Sequence, residues 1–290
     1  MAPLQGSKLA FIGGGNMAGA IIGGLVAQGV DKQLITVSEP WDVNRDKLAA
    51  LGVRTTTSNA EAAAEADVVV VAVKPQVTRT VCRELADAWS AASRQTFPLV
   101  VSIAAGITMA SLKEWITTSD GRSANVVRVM PNTPALVGEG AAGVYASEGT
   151  SEQDKQLVNS LLAGISKQTE WVEKDELIDV ITGLSGSGPA YFFAFVEHLI
   201  SSATALGLNE DQAARLAKQT ALGAATMMSR SDEDPGQLRR NVTSPNGTTH
   251  AALETFAAEG FKEIVDKSVR AAAARGAELG ETLAKQQAHL

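Results

Sequence analysis

Two loops of this sequence place glycine directly before a helix, and both are suited to binding an anion. The first, Gly13-Gly14-Gly15-Asn16, follows the apolar run Leu9-Ala10-Phe11-Ile12. Gly13 and Gly15 form the Gly-x-Gly part of the dinucleotide fingerprint, with Ala18 where glycine or alanine is accepted. A pyrophosphate needs bare backbone and the free N–H groups of a helix start, which a side chain at residue 15 would block. A glycine-rich turn without a ligand is the alternative.

The second loop is Val242-Thr243-Ser244-Pro245-Asn246-Gly247-Thr248-Thr249, which precedes a helix predicted over residues 249–258. A turn of this composition leaves several N–H groups of the helix start unpaired, which makes a site of the size of a carboxylate. The hydroxyl groups of Ser244, Thr248 and Thr249 can hydrogen-bond a substrate heteroatom. The alternative is that these hydroxyl groups cap the helix, as such residues most often do.

Composition sets limits on the function. A chain of 290 residues with 45% hydrophobic content is expected to form two domains. Its net charge of −7 disfavours nucleic acid as a partner, and local dipoles and a few cations must hold any anionic cofactor. His198, His250 and His289 lack zinc-like spacing, so no metal is expected.

A cytoplasmic location is expected. Cys82 is the only cysteine, which excludes an intrachain disulfide and fits a reducing compartment. Residues 1–7 lack the layout of a signal peptide. The longest apolar stretch, 189–206, contains Glu197 and His198, so a membrane span is not expected.

Alternating strands and helices predict a Rossmann-like, α/β dinucleotide-binding domain over residues 1–172. Strands are predicted at 34–38, 67–73, 99–103, 125–129 and, as the last, edge strand, 141–146, with helices at 17–28 and, capped by Ser151, at 151–165. Ligands of such sheets lie beyond the carboxyl ends of the strands. Lys74, the 104–106 turn and the 131–134 loop are therefore expected to lie together at this edge of the sheet. The alternative for the 131–134 loop is a rigid turn without function.

Two residues after the second strand point to different cofactors. Glu39 is placed to take the ribose hydroxyl groups, which favours NAD. Arg45 is a cation of the kind that a 2′-phosphate requires, unless it is only a solvated helix residue. The preference between NADH and NADPH therefore stays open.

Residues 173–290 are predicted to be all-helical. The segment Gly183-Leu184-Ser185-Gly186-Ser187-Gly188-Pro189 leads into a helix that is apolar nearly all round, with Ser187 or Gly188 in the N-cap region. Burial against another subunit, and hence an obligate oligomer, is the expectation; packing within one subunit is the alternative. Further helices are predicted from Asn209 to Arg230, through Gly236 to Asn241, and over 261–289.

One dinucleotide site and one site for a small anion fit hydride transfer. A β-hydroxyacid dehydrogenase of the same fold class would carry a lysine acid/base where this chain has Phe192. That alternative is therefore disfavoured. A non-catalytic nucleotide-sensing protein is a further alternative, disfavoured by the intact site loops.

Six motifs in chain order resemble those of the pyrroline-5-carboxylate reductases and span essentially the whole chain. They are Phe11-Ile12-Gly13-Gly14-Gly15-Asn16-Met17-Ala18, Ala72-Val73-Lys74-Pro75, Ser102-Ile103-Ala104-Ala105-Gly106, Met130-Pro131-Asn132-Thr133-Pro134, Ser185-Gly186-Ser187-Gly188-Pro189-Ala190-Tyr191 and Thr243-Ser244-Pro245-Asn246-Gly247-Thr248-Thr249. The resemblance implies reduction of 1-pyrroline-5-carboxylate to L-proline by NADPH or NADH, the last step of proline biosynthesis. A related imine reductase is the alternative within this chemistry. The resemblance also implies a homodimer through the C-terminal helices, five such dimers in a decamer, and an active site that two subunits share.

The resemblance also implies roles for individual residues. The pyrophosphate would contact Gly13, Gly15, Asn16 and Met17, and the rest of the cofactor groove would be lined by Asn59, Val73, Lys74 and Pro75. The nicotinamide would lie between Ala105 and Asn132, and Asn241 would reach the cofactor from the partner. The substrate would contact Ser244, Gly247, Thr248 and Thr249, with the Thr249 hydroxyl on the ring nitrogen as the catalytic contact and with Asp175 and Glu176 nearby. Glu39 stands where members that prefer NADPH often have serine or a small residue.

Overall fold

The computed structural model describes residue 4 and residues 6–288. The strands are β1 (Leu9–Ile12), β2 (Ile35–Ser38), β3 (Arg54–Thr56), β4 (Val68–Val71), β5 (Leu99–Ser102), β6 (Val126–Met130), β7 (Gly140–Ala146) and β8 (Ser166–Trp171). The α-helices are α1 (Asn16–Ala27), α2 (Asp42–Ala49), α3 (Asn59–Ala63), α4 (Thr78–Ala91), α5 (Met109–Ile116), α6 (Glu152–Leu162), α7 (Leu177–Ile181), α8 (Gly188–Ala205), α9 (Glu210–Arg230), α10 (Pro235–Asn241), α11 (Thr248–Ala258) and α12 (Phe261–Ala288). His289, the last residue of the predicted final helix, lies outside the described residues.

The eight strands of the described residues join one sheet, in the order β3-β2-β1-β4-β5-β6-β7-β8. Strands β1 to β6 pair in parallel, β7 is antiparallel to β6, and β8 is parallel to β7. The strand order reverses where β1 lies between β2 and β4, which is the point at which open α/β sheets bind their ligands. The glycine loop that follows β1 is therefore at the expected place.

The central strands are apolar along their whole length because both faces of the sheet are covered. Alternate residues of β1 enter different cores: Leu9 and Phe11 join a cluster with α1, α2 and α6, whereas Ala10 and Ile12 join one with α3, α4 and α5. The four valines of β4 divide in the same way. Rigid packing on both faces leaves the strand ends as the place for loops that bind ligands.

The prediction of a Rossmann-like domain followed by helices is confirmed, and two local predictions are wrong. β7 is a strand but does not lie at the edge of the sheet, because β8 pairs beyond it. The mostly polar sequence of β8, Ser-Lys-Gln-Thr-Glu-Trp, fits an exposed edge and gave no apolar pattern. Ser187 does not cap a new helix, because α7 continues through a π-helical segment, Thr182–Gly186, towards α8.

The chain divides into two compact units, one made of Met1–Ser187 and Ala271–Leu290, the other of Gly188–Arg270. This division differs from the predicted one at residue 172. The segment around Asp175 bonds to the start of α5, and Gly280 packs on Gly106. Both the residues just before the π-helical segment and the end of α12 therefore belong with the sheet.

The second unit exposes much of its apolar surface. Within it, α8 packs along α9, and Phe256 stacks on Phe261. Phe192 and Phe193 of α8 are nevertheless 67% and 69% exposed. Within the described residues, no helix combines the length and the hydropathy that crossing a bilayer requires.

Candidate active site

The glycine loop after β1 brings bare backbone to the start of α1. Gly13 has a φ of +98°, and a Cβ added to it would lie 2.7 Å from the carbonyl oxygen of Ala72. Gly15 precedes α1 without a side-chain hydrogen bond, and nothing described lies within 4 Å of a Cβ added there. Packing therefore explains Gly13 but not Gly15. The open space beside the unpaired N–H groups of α1 fits a pyrophosphate.

Glu39 is folded back onto this loop. Its Oε2 atom accepts a hydrogen bond of 2.7 Å from the N–H of Gly14, and Oε1 accepts one of 3.0 Å from the N–H of Trp41. The residue is only 6% exposed. The backbone thus compensates the carboxylate charge, and the side chain fixes the position of the glycine loop.

Arg45 lies beside Glu39, and its guanidinium is held by backbone carbonyl oxygens of nearby residues. Its Nη1 atom donates to the carbonyl oxygens of Glu39 at 3.0 Å and Pro40 at 3.1 Å, and its guanidinium pairs with the exposed Asp42. A guanidinium has five N–H donors, so these contacts leave capacity for a further anion. The structure therefore places a fixed cation beyond β2.

The residues predicted to line the cofactor groove follow the carboxyl ends of the parallel strands β3 and β4. Asn59 begins α3, accepts from the Ser38 hydroxyl at 2.7 Å and donates to Glu84 at 2.8 Å. Val73 lies next to the glycine loop, with its Cγ1 atom 3.0 Å from a Cβ built on Gly13. Lys74 is exposed, and Pro75 opens a short 3-10 helix directly after it.

Ala105 and Asn132 follow the neighbouring strands β5 and β6. Ala105 is exposed at the turn that leaves β5. Asn132 is nearly buried: its Nδ2 atom donates to the carbonyl oxygen of Ser185 at 3.1 Å, and its Oδ1 atom accepts from the N–H of Ala141 at 2.9 Å. Asn132 therefore links its loop to β7 and to the π-helical segment.

Both oxygen atoms of the Asp175 carboxylate bind other segments of the protein. Oδ1 pairs with Arg128, a cation of β6 whose side chain is 5% exposed, and Oδ2 accepts from the N–H of Met109 at 2.9 Å. The latter contact satisfies the first N–H of α5, where a negative charge is favourable. Sequence reasoning missed Arg128, although a lone cation within a buried strand signals a hidden partner.

The neighbouring acidic residues differ from Asp175. Glu176 is exposed. Asp179 is half-buried; burial raises the pKa of its carboxyl, Arg128 lowers it, and Asp175 and Glu176 raise it further. Sequence reasoning missed Asp179 as well, because its burial and the nearby charge of Arg128 arise only after folding.

In the second unit, the predicted substrate loop forms a tight turn before α11. The N–H of Gly247 donates to the carbonyl oxygen of Ser244 at 3.0 Å, and Asn246 has a φ of +59°. Proline followed by asparagine suits such a turn. Gly247 is the N-cap of α11 without a side-chain hydrogen bond, so Thr248 and Thr249 do not cap the helix through a described contact.

Asn241 lies at the end of α10, a short distance along the chain from this loop. Its Nδ2 atom donates to Glu233 at 2.8 Å, and its Oδ1 atom accepts from Gln237 at 2.7 Å. Side chains cap five of the described helices, namely Ser58, Thr108, Ser151, Asn209 and Asp234, whereas α2, α4 and α7 begin, like α1 and α11, without a side-chain cap. The helix starts α1 and α11, which glycine precedes, keep their N–H groups available.

Comparison with known proteins agrees with this geometry. A family model described as pyrroline-5-carboxylate reductase dimerisation matches residues 175–279, and one described as NADP oxidoreductase, coenzyme F420-dependent, matches residues 8–106. A pyrroline-5-carboxylate reductase of Pseudomonas aeruginosa is 46% identical over 277 residues, covering 95% of this chain and 98% of the relative. The chain belongs to the pyrroline-5-carboxylate reductase family.

Solved structures of pyrroline-5-carboxylate reductases share the fold. The one from Coxiella burnetii has a TM-score of 0.87 and 39% identity, covering 94% of this chain and 98% of the other. The one from Plasmodium falciparum, with NADP bound, has a TM-score of 0.79 and 29% identity, covering 96% and 99%. The roles that the resemblance implies for individual residues stay predictions.

Replacing Asp175 with alanine should destabilise the reductase, because it leaves Arg128 buried without its carboxylate. The expected loss in free energy of unfolding is about 3 kcal/mol, as for other buried pairs that lose one partner. Urea denaturation at fixed protein concentration measures it, with Glu176→Ala as the exposed control. Equal stability of both variants and the wild type would contradict the structural role of Asp175.

The stability contributed by Asp179 should depend on pH. The pKa of the Asp179 carboxyl is raised in the folded protein above its ordinary value of 3.8. Such a carboxyl contributes its full stabilisation when the pH is below 3.8, and this stabilisation is lost as the pH rises through the raised pKa. The stability of the wild type relative to Asp179→Asn should therefore fall as the pH rises from below 3.8 through the raised pKa. Denaturation midpoints of both proteins across this range test the prediction, and a constant difference would refute it.

Proposed function

We propose that this chain reduces the C=N bond of 1-pyrroline-5-carboxylate with NAD(P)H and releases L-proline. The observation that carries the proposal is the 46% identity to a pyrroline-5-carboxylate reductase over nearly the full length of both chains. The open glycine loop before α1 and the uncapped start of α11 support it, because the reaction needs one site for a dinucleotide and one for a carboxylate.

The residues available suit an imine substrate. A protonated imine already carries the positive charge that attracts a hydride, and this charge disappears on reduction. The protein then needs to orient the substrate rather than supply a strong acid. The N–H groups at the start of α11 would hold the substrate carboxylate, with Ser244 and Gly247 shaping the turn. The hydroxyl of Thr249 would hydrogen-bond the ring nitrogen.

The cofactor supplies the hydride when it is bound. Gly13, Gly15, Asn16 and Met17 would contact its pyrophosphate through the backbone at the start of α1. Asn59 and the Val73–Pro75 stretch would line the groove, and Ala105 and Asn132 would flank the nicotinamide. The bonds of Asn132 to Ser185 and Ala141 support a rigid wall, because both ends of its amide are fixed.

A preference for NADPH fits the contacts beyond β2. The carboxylate of Glu39 is bound by two backbone N–H groups, which lowers its availability to ribose hydroxyl groups. Arg45 is held in place as a cation, as a 2′-phosphate requires. The similar structure from Plasmodium falciparum has NADP bound, which is in line with this preference.

The working form would be a homodimer built by the second unit. The match to the family's dimerisation model and the exposed phenylalanines of α8 support it, since such apolar surface is costly in water. Sedimentation velocity distinguishes a dimer from the decamer of five dimers that the resemblance implies. The single cysteine, Cys82, is buried and free, which supports a cytoplasmic location.

The proposed activity is tested by following NADPH consumption with 1-pyrroline-5-carboxylate and, as a control, a 2-oxo acid. We expect turnover with the imine alone. Thr249→Val should lower kcat/KM about tenfold or more by removing one hydrogen bond to a charged group, while Thr249→Ser should retain most of it. Absence of imine-dependent turnover by the wild type would contradict the proposed function. Equal losses in both variants would exclude the hydroxyl contact.

The preference for NADPH is tested by Arg45→Gln. Losing one charge-assisted contact to the 2′-phosphate should raise KM for NADPH about tenfold and leave KM for NADH nearly unchanged. Lys47→Gln removes the same charge from an exposed position of α2 and serves as the control. A parallel rise for both cofactors, or none, would mean that Arg45 does not read the 2′-phosphate.

A further inference from the structure

The end of α12 packs against the unit that contains the sheet. Gly276, Gly280 and Leu283 are buried, and they lie on one face of the helix at spacings of four and three residues. Leu283 is 8% exposed and joins the apolar cluster of α4 and α5. The part of α12 from Ala271 on is therefore anchored to this unit by a continuous face.

The central contact of this face is between two backbones. A Cβ added to Gly280 would lie 2.6 Å from the carbonyl oxygen of Gly106 and 3.6 Å from the Cγ2 atom of Thr108. Gly106 itself has a φ of +73°, which favours glycine. No side chain separates the helix from the turn after β5, so the position of one determines the position of the other.

A second set of contacts connects the segment around α7 to α12 and to the start of α5. A Cβ added to Gly276 would lie 3.4 Å from the Oδ1 atom of Asp179. Asp175, just before α7, accepts from the N–H of Met109, where the turn enters α5. The turn is thus fixed on one side by α12 and at its end by the carboxylate of Asp175.

This turn carries Ala105, which is exposed immediately before Gly106. We propose that Gly280 is a positioning residue for hydride transfer. By contacting the backbone of Gly106, it sets the position of the neighbouring Ala105 against the nicotinamide ring. The proposal rests on the proposed function, which assigns the nicotinamide to Ala105. It assigns the end of α12 a role in catalysis through the turn, without contact to the cofactor.

The test is Gly280→Ala, with Gly23→Ala as the matched control. Both place alanine in a helix, which favours helix formation, but at Gly23 nothing described lies within 4 Å of the new Cβ. The new methyl group at residue 280 must displace the turn, and displacements of this order reduce hydride transfer strongly. We expect kcat to fall about tenfold or more per folded enzyme, with a larger primary isotope effect from NADPH deuterated at the transferred position.

Cofactor binding should change much less, because the pyrophosphate and adenosine are expected at other loops. A lower melting temperature in Gly280→Ala with unchanged kcat and isotope effect would overturn the proposal and leave a packing role. Leu283→Ala weakens the same anchor without a clash, so it should lower kcat in the same direction. It provides the second variant if Gly280→Ala does not fold.

Amide hydrogen exchange separates this proposal from the proposed function. Residues 104–109 should exchange faster in Gly280→Ala than in the wild type or Gly23→Ala, whatever the substrate is. Unchanged exchange would overturn the proposal even in an active reductase. Absence of imine turnover by the wild type would instead overturn the proposed function, and faster exchange would then still support the contact of α12 with the turn.

Discussion

Burial of the parallel sheet on both of its faces is the constraint on which the rest of the first unit depends. The central strands are too apolar and too tightly covered to carry chemistry along their length. Their parallel direction sends the loops after β1, β2, β4, β5 and β6 to one edge. Each loop there can be short, because the strand beneath it already fixes its starting point. The glycine loop needs no more than bare backbone, since the sheet and α1 supply its orientation.

Charges at this edge are held by backbone groups more than by paired side chains. The protein has a net charge of −7, yet its proposed ligands are anions. Glu39 would repel a phosphate if its carboxylate were free, and two N–H groups bind it instead. Arg45 is fixed by two carbonyl oxygens. Local backbone dipoles and a fixed cation therefore act against the repulsion that the net negative charge of the protein exerts on an anion.

Contacts far apart in sequence stabilise the turn after β5. Arg128 and Asp175 form a buried pair whose carboxylate also binds the start of α5, and Gly280 meets Gly106 from the opposite end of the chain. A buried cation would be costly without this partner, and the partner is correctly placed only when α7 packs on the sheet. The last helix therefore contributes to both compact units, its first part to one and its end to the other.

The sequence by itself determined the fold class, the family and most of the elements near the site. Patterns of neighbouring residues were sufficient for these predictions. A run of valines such as β4, or a group of glycines such as the one after β1, is compatible with few local structures. Such patterns did not predict β8, because a strand at an exposed edge needs no apolar residues. They also did not predict the π-helical segment, because its glycines and serines resemble the start of a new helix.

Only the tertiary structure decided what individual charges and glycines do. The sequence made Glu39 a candidate for the ribose end and placed Asp175 near the substrate, and it could not show that both carboxylates accept hydrogen bonds from backbone N–H groups of other segments. Gly15 and Gly280 are alike as residues, but one faces open space and the other a carbonyl oxygen. The physical reason is that pattern and propensity are properties of neighbours in the chain, whereas charge compensation and close packing depend on groups that meet only after folding.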